Sequence, residues 1–140
     1  MESGVSPVNV LLIDDVKDVT AFVLKFLADF RGLAADHVDT GNGGLGQAIQ
    51  QRYDLILLDL HLPDIGGLDI LPVLRSCSPR AVIATLSGFV DLLTEEDFEQ
   101  ADTVLTKPVD LDVLGPLVQI VREIEERRAS IRALGVVPGP

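Results

Sequence analysis

The chain has 140 residues, 47% of them hydrophobic and 24% charged, which gives room for one soluble domain around one core and little more. Its formal net charge of −11 comes from 22 acidic and 11 basic residues, with no basic run beyond Arg127-Arg128; that balance argues against direct nucleic-acid binding and against a membrane-surface role, both of which draw affinity from Lys and Arg on phosphates. No apolar run reaches the roughly 18–20 residues needed to cross a bilayer, the start MESGVSPVNV lacks signal-peptide character, and one cysteine, Cys77, excludes an internal disulfide, so the cytoplasm is the expected setting.

Apolar runs then alternate with helical patterns, as in an α/β domain with a parallel sheet. Residues 8–13 (VNVLLI) read as a buried strand ending at Asp14-Asp15. Val19, Phe22, Val23, Phe26, Leu27 and Phe30 fall at i, i+3, i+4, i+7, i+8 and i+11, one face of an amphipathic helix that Gly32 is expected to end. A weak strand over 34–38 leads to a Gly-rich turn (40–44) and a short helix carrying Leu45, Ala48 and Ile49. The third strand, 54–59 (DLILLD), is the clearest, followed by a loop over 60–67 and a helix with Leu68, Leu71 and Leu74 on one side.

Pro79 marks the turn into a fourth strand, 81–86, which ends at Ser87-Gly88. An acidic helix is expected within 90–100 and a fifth strand over 103–105, ending at Thr106-Lys107-Pro108. Asp110 is the expected N-cap of a final helix, which Gly115-Pro116 should kink or restart and whose apolar stripe runs through Leu117, Ile120, Val121, Ile124 and Ile131. Residues 1–7 read as a tail, 8–125 as the domain, and 126–140 as a helical extension with a frayed end.

The chemically capable side chains gather at the predicted strand ends: Asp14 and Asp15 after the first, Asp59 after the third, Ser87 after the fourth, Lys107 after the fifth. Right-handed crossovers point parallel strands the same way, and sites in such sheets form outside their carboxyl ends. Three carboxylates close together need a counter-charge, and an oxygen-only set suits Mg²⁺. Carboxylates form aspartyl phosphates, and in-line phosphoryl transfer asks mainly for positioning and charge stabilisation, which a metal and the Lys107 ammonium supply.

Over residues 8–125 the chain resembles the receiver domain of bacterial response regulators, through VLLIDD (10–15), YDLILLDLHLPDIGGLD (53–69), ATLSGF (84–89) and LTKP (105–108). The resemblance implies a flavodoxin-like, doubly wound, five-stranded parallel sheet of order 2-1-3-4-5 with helices on both faces. It implies Asp59 as phosphoryl acceptor, with Mg²⁺ held by Asp14, Asp15, Asp59 and the backbone carbonyl of His61. Ser87 matches the hydroxyl switch residue, Lys107 the family's lysine, and Lys107-Pro108 a bond often held in cis. The donor implied is a phosphohistidine on a histidine kinase or a histidine phosphotransfer protein. Phosphorylation would then rearrange the surface of the fourth helix, fifth strand and fifth helix toward an effector or downstream domain. The chain would catalyse only its own phosphorylation and dephosphorylation. One position departs from the pattern: Val104 stands where the family commonly has an aromatic residue that couples to the hydroxyl.

Other signals have plainer readings. Thr85 is expected to pack or bond locally, His37 to be an exposed strand residue, the His61 imidazole to be solvated, and Cys77 to be structural rather than reactive. The 41–46 glycine run lacks the GK[ST] ending of a phosphate loop. Residues 122–132 (REIEERRASIR) read as a solvated helical face with pairs such as Glu123 with Arg127, or alternatively as a signalling helix that dimerises or leads to another domain; a homodimer through this helix or through the fourth-helix/fifth-strand/fifth-helix face is the oligomeric expectation. Two competing functions are a haloacid-dehalogenase-like phosphohydrolase, which would need a second Asp where Val16 or Lys17 stands, and a phosphorylation-independent interaction domain.

Overall fold

Period-two alternation sorts the strand side chains into two cores, one on each face of the sheet. The computed structural model describes residues 6–89 and 93–136. Its elements are β1 (Val8–Ile13), α1 (Lys17–Leu27), β2 (Leu33–Val38), α2 (Gly41–Gln50), β3 (Leu55–Asp59), α3 (Gly67–Cys77), β4 (Val82–Ser87), a 3₁₀ turn (Glu95–Phe98), β5 (Thr103–Thr106) and α4 (Leu111–Ala133). The sheet is parallel with order β2-β1-β3-β4-β5, the doubly wound arrangement expected from sequence.

Val10 and Leu12 of β1, Leu55 and Leu57 of β3, and Ala84 and Leu86 of β4 face Val23 and Leu27 of α1 and Leu114, Val118 and Val121 of α4. The alternate residues Leu11, Ile13, Ile56, Leu58 and Ile83 face Ala48 of α2 and Ile70, Leu71 and Leu74 of α3. β3 is buried at all its positions because helices cover both faces and strands flank both edges. Each fully buried Leu, Ile or Val contributes about 1.5–3 kcal/mol over an exposed one.

Several local expectations are corrected. α1 stops at Leu27, and Gly32, at φ 67°, instead turns the chain in the left-handed region into β2. Phe22, on the predicted apolar face, is half exposed, whereas Val23 and Leu27 are fully buried against the sheet and Phe26 and Phe30 pack edge to face beside them. The Gly-rich segment is the first turn of α2, capped by Thr40, whose hydroxyl accepts from Gly43 N at 3.0 Å. A Cβ on Gly44 would collide with the Ile13 side chain, so glycine serves close helix–sheet approach there rather than a turn. Ile49 lies on the outer side of α2, exposed.

The acidic segment forms only the 3₁₀ turn within its described part, closed by a capping box between Thr94 and Asp97; its start, residues 90–92, lies outside the described residues, as do the tail residues 1–5 and 137–140. α4 is one uninterrupted helix through Pro116, N-capped by Asp110 as expected. Proline near the start forfeits one hydrogen bond, to the Asp112 carbonyl, and the packing of Leu114 and Val118 on either side of it holds the helix together. Of the stripe read from sequence, Val121 is buried and Leu117 packs against the core, whereas Ile120 and Ile131 are exposed. Among the described residues the ion pairs of this helix join Glu125 to Arg128 and to Arg52, not Glu123 to Arg127. Cys77 is a free, exposed thiol at the end of α3 and takes no part in the core.

Candidate functional site

The strand order reverses at β1, which pairs with β2 on one side and β3 on the other, and this opens a crevice at the carboxyl rim between β1 and β3. Asp14 leaves β1 into that crevice fully buried, and Asp59, the last residue of β3, is 1% exposed. Asp15, the next residue after Asp14, is exposed. Carboxylate oxygens of Asp14, Asp15 and Asp59 all lie within 4.8 Å of one another.

Backbone contacts orient each acid. Asp14 Oδ1 accepts from Val16 N at 2.8 Å, which also fixes the entry to α1. Asp59 Oδ1 accepts from His61 N at 2.9 Å. The remaining oxygens, Asp14 Oδ2 and Asp59 Oδ2, are each 3.1 Å from Lys107 Nζ. Lys107 reaches them because its backbone N donates to Ser87 O at 2.9 Å, tying the end of β5 to the end of β4, with a cis bond to Pro108 beyond. Ser87 is fully buried, and its Oγ accepts from Phe89 N at 3.0 Å.

Charge crowding shifts the titrations. Burial pushes the Asp59 carboxyl above its usual range; the Asp14 charge adds to this, while the His61 amide and the Lys107 ammonium oppose it. Burial pulls on Lys107 in the downward direction, but the Asp59 and Asp14 carboxylates outweigh it and hold its ammonium above the ordinary lysine value. The site at neutral pH is therefore a lysine cation shared between buried acids.

Every residue singled out at the strand ends is at this rim, though not all share the same contacts. The His61 imidazole is outside the acid cluster, exposed and packed edge to face on Phe89 with ring centroids 5.3 Å apart; its backbone is what touches Asp59. Thr85 is buried below Ser87 with no hydrogen-bond partner for its hydroxyl, so it packs rather than bonds. His37 is exposed as expected, yet its Nε2 lies 2.7 Å from the Asp14 carbonyl oxygen and 3.4 Å from Thr20 Oγ1, bracing the end of β1.

Two contributors escaped the sequence reading. Asp64 accepts from Gly41 N at 2.8 Å and Asn42 N at 2.9 Å, capping α2 from the β3–α3 loop, and these amides hold its carboxyl below the usual range. Gly67 lets α3 start directly over the acceptor strand: a Cβ there would sit 2.5 Å from the Asp59 carbonyl oxygen. The signal for Asp64 was its place in the HLPD loop; nothing local in the sequence marks Gly67 as a contact point.

The acids fit a hard divalent cation. All the clustered donors are oxygens, and the buried Asp14 Oδ2 and Asp59 Oδ2 meet only the shared Lys107 ammonium, which leaves them capacity to coordinate.

A family model described as the response regulator receiver domain matches residues 10–119. The chain is 29% identical over 130 residues to response regulator ArlR of Staphylococcus haemolyticus, an alignment covering 91% of this chain and 58% of ArlR. It is 32% identical over 130 residues to the cell cycle transcriptional regulator CtrA of Caulobacter vibrioides, covering 91% of this chain and 56% of CtrA. The chain thus spans little more than half the length of these relatives. Among solved structures it resembles a CheY-like receiver domain from Methylobacillus flagellatus, with TM-score 0.72, 32% identity, and coverage of 83% of this chain and 99% of that one. It also resembles a Burkholderia pseudomallei response regulator with a phosphorylated aspartic acid and a calcium ion, with TM-score 0.68, 26% identity, and coverage of 93% and 76%. None of these matches supports the haloacid-dehalogenase alternative.

Proposed function

The chain belongs to the receiver domains of response regulators, and on that premise we propose that residues 8–125 take a phosphoryl group onto Asp59 from a phosphohistidine of a histidine kinase or histidine phosphotransfer protein. The observation that carries this reading is the Lys107 ammonium 3.1 Å from both Asp14 Oδ2 and Asp59 Oδ2, inside a cluster of three carboxylates. An Asp59 oxygen attacks phosphorus in line, the P–N bond to the donor imidazole breaks, and its electron pair stays on the imidazole. Lys107 then exchanges its contact with Asp59 for one with a phosphoryl oxygen, and the Ser87 hydroxyl leaves Phe89 N to donate to another.

Asp14, Asp15, Asp59 and the His61 carbonyl are the residues that would hold Mg²⁺, which when bound screens the phosphoryl oxygens from the acids. With Val104 half-buried on β5 in place of an aromatic, the response reaches the β5–α4 face through aliphatic packing. The reading places the domain in the cytoplasm, with no turnover beyond its own phosphorylation and dephosphorylation. Its output passes to an effector, a downstream domain or a second copy of the chain. Direct contact with nucleic acid is not part of it.

Acetyl phosphate with Mg²⁺, followed by intact mass, tests the reading. One added phosphoryl group is expected, acid-stable and base-labile, and absent in Asp59→Asn. An unmodified wild-type chain would favour a phosphorylation-independent interaction domain.

A further inference from the structure

At the end of the sheet opposite the acid cluster, arginines from three separate segments converge. Arg80, in the turn ahead of β4, lines an open cavity of about 240 Å³ with Arg128, Ile131 and Arg132 of α4. Arg80 also borders a neighbouring cavity of about 350 Å³, whose wall includes Arg52 and Ile49. The chain has 22 acidic residues against 11 basic ones, so four guanidiniums gathered at one end are a separation of charge.

Part of this cluster is built and neutralised. Arg128 Nη1 donates to the Arg80 carbonyl oxygen at 3.2 Å and pairs with Glu125 Oε2 at 2.6 Å, which fixes its guanidinium and fastens the turn to α4. Glu125 Oε1 also lies 3.7 Å from Arg52 Nη2, and the buried Asp54 carboxylate stands beside this pair. These two acids offset Arg52 and Arg128 at most.

Arg80 and Arg132 keep their charge. Both are exposed, and among the described residues neither side chain forms an ion pair. Their sequence neighbours supply none either. No acid occurs between Asp69 and Asp91, and Ala129 and Arg128 stand three and four residues before Arg132. A like charge four residues away on a helix is destabilising. The dipole of α4 favours a cation in its last turn, which accounts for Arg132 but not for the second uncovered guanidinium lining the same cavity.

We propose that Arg80 and Arg132, with the fixed Arg128, bind the phosphate group of a small soluble phosphate ester. Two uncovered cations call for a dianion, and a phosphate monoester carries about −1.5 to −2 at neutral pH where a carboxylate carries a single charge. Guanidinium forks grip phosphate oxygens two at a time, which a lysine ammonium cannot do. Ile131, 68% exposed in the cavity wall, gives the organic part of the ester an apolar surface. Occupied, the site clamps the last turns of α4 to the turn ahead of β4, at the far end of the sheet from Asp59. It is separate from the phosphoryl-acceptor reading and does not depend on it.

NMR titration of the metal-free Asp59→Asn chain with inorganic phosphate and with adenosine monophosphate, at constant ionic strength, tests this. Saturable shifts are expected in the Arg80 and Arg132 side-chain N–H groups and the Ile131 methyls, with the Ser87 and Lys107 amides unmoved. Adenosine monophosphate should bind more tightly than inorganic phosphate. Arg80→Ala or Arg132→Ala, both at exposed positions, weakens binding roughly tenfold or more, the scale of one lost charge-assisted hydrogen bond. Arg80→Lys weakens it as well, because charge without the fork is not enough. Lys25→Ala, exposed on α1, leaves it unchanged. With Asp59 restored, Arg80→Ala still takes up a phosphoryl group from acetyl phosphate, so failure of this site and failure of the acceptor reading are separate results. Shifts that chloride reproduces, shifts confined to the carboxyl rim, or equal affinity in both alanine variants overturn the site. Tighter binding of hexaglutamate at the same residues overturns the phosphate class, and binding only to vesicles of phosphatidic acid overturns the soluble source.

Discussion

Both ends of the sheet bury charge, and they treat it in opposite ways. At the foot, where the strands begin, backbone groups meet the charges one by one. Asp54 Oδ2 accepts from Asn9 N at 2.8 Å, pinning β3 to β1; this amide opposes the burial and the Glu125 charge that push its carboxyl above the usual range. Arg122, 8% exposed on α4, donates to the carbonyls of Ser6 and Arg31 ahead of β1 and β2. Asp102, though exposed, is held in the same way: its Oδ2 accepts from Ile83 N at 2.8 Å and pairs with Arg75 at 2.8 Å, tying the start of β5 to β4 and the end of α3. At the rim, Asp14 Oδ2 and Asp59 Oδ2 are buried with a single ammonium shared between them. A charge met by backbone groups fixes structure. A half-satisfied one keeps capacity to bind something else, at a cost in stability.

The sharpest way to break this contrast is Lys107→Ala. It leaves two buried carboxylates facing each other, and urea unfolding in the absence of divalent cation should show a loss of about 3 kcal/mol, partly recovered on titration with Mg²⁺. A variant as stable as wild type would mean that the rim charges are already compensated without the lysine. Next in size, Arg122→Ala strips two foot carbonyls of their donor and should cost about 2 kcal/mol, while phosphoryl uptake from acetyl phosphate stays at the wild-type level. A loss of uptake at matched folded fraction would show that the two ends are coupled.

The smallest effect has the opposite sign. Asp59→Asn removes one of the crowded acids and should raise stability at neutral pH by about 1 kcal/mol while abolishing phosphorylation. The pH dependence follows from the same shift. Because the folded Asp59 pKa lies above the unfolded value, the folded state holds this proton more tightly. The associated stability is present below the unfolded carboxylate pKa of about 4 and is lost as pH rises through the higher folded value. Metal-free unfolding curves should show that decline in wild type and a flatter profile in Asp59→Asn; parallel profiles would remove Asp59 as its source.

How far the sequence could be read depended on whether a feature is local. The β3 run ending at Asp59 and the Asp110 cap announce themselves within a few residues, because burial on both faces and helix capping are near-neighbour effects. The glycines within 40–44 read locally as a turn, but Gly44 is fixed by the Ile13 side chain from another element. Phe22, Ile49 and Ile120 sit in helical register with core residues and still face outward, since register gives a face without giving what covers it. The acidic segment has helical composition, yet its described part settles as a 3₁₀ turn, where the Thr94–Asp97 box outweighs propensity. Asp64 looked like a loop acid until the start of α2 came within its reach.

By itself the sequence determined the order of elements, the apolar alternation that divides the sheet into two cores, and the identities of the acids, hydroxyl and amine at the strand ends. Only the tertiary structure decided that one ammonium bridges Asp14 and Asp59, that at the foot a backbone amide holds Asp54 and two backbone carbonyls hold Arg122, and which side of α4 the domain covers. Periodicity and residue type are set by chemistry within a few positions along the chain, whereas the satisfaction of a buried charge depends on groups that folding brings from far away in sequence.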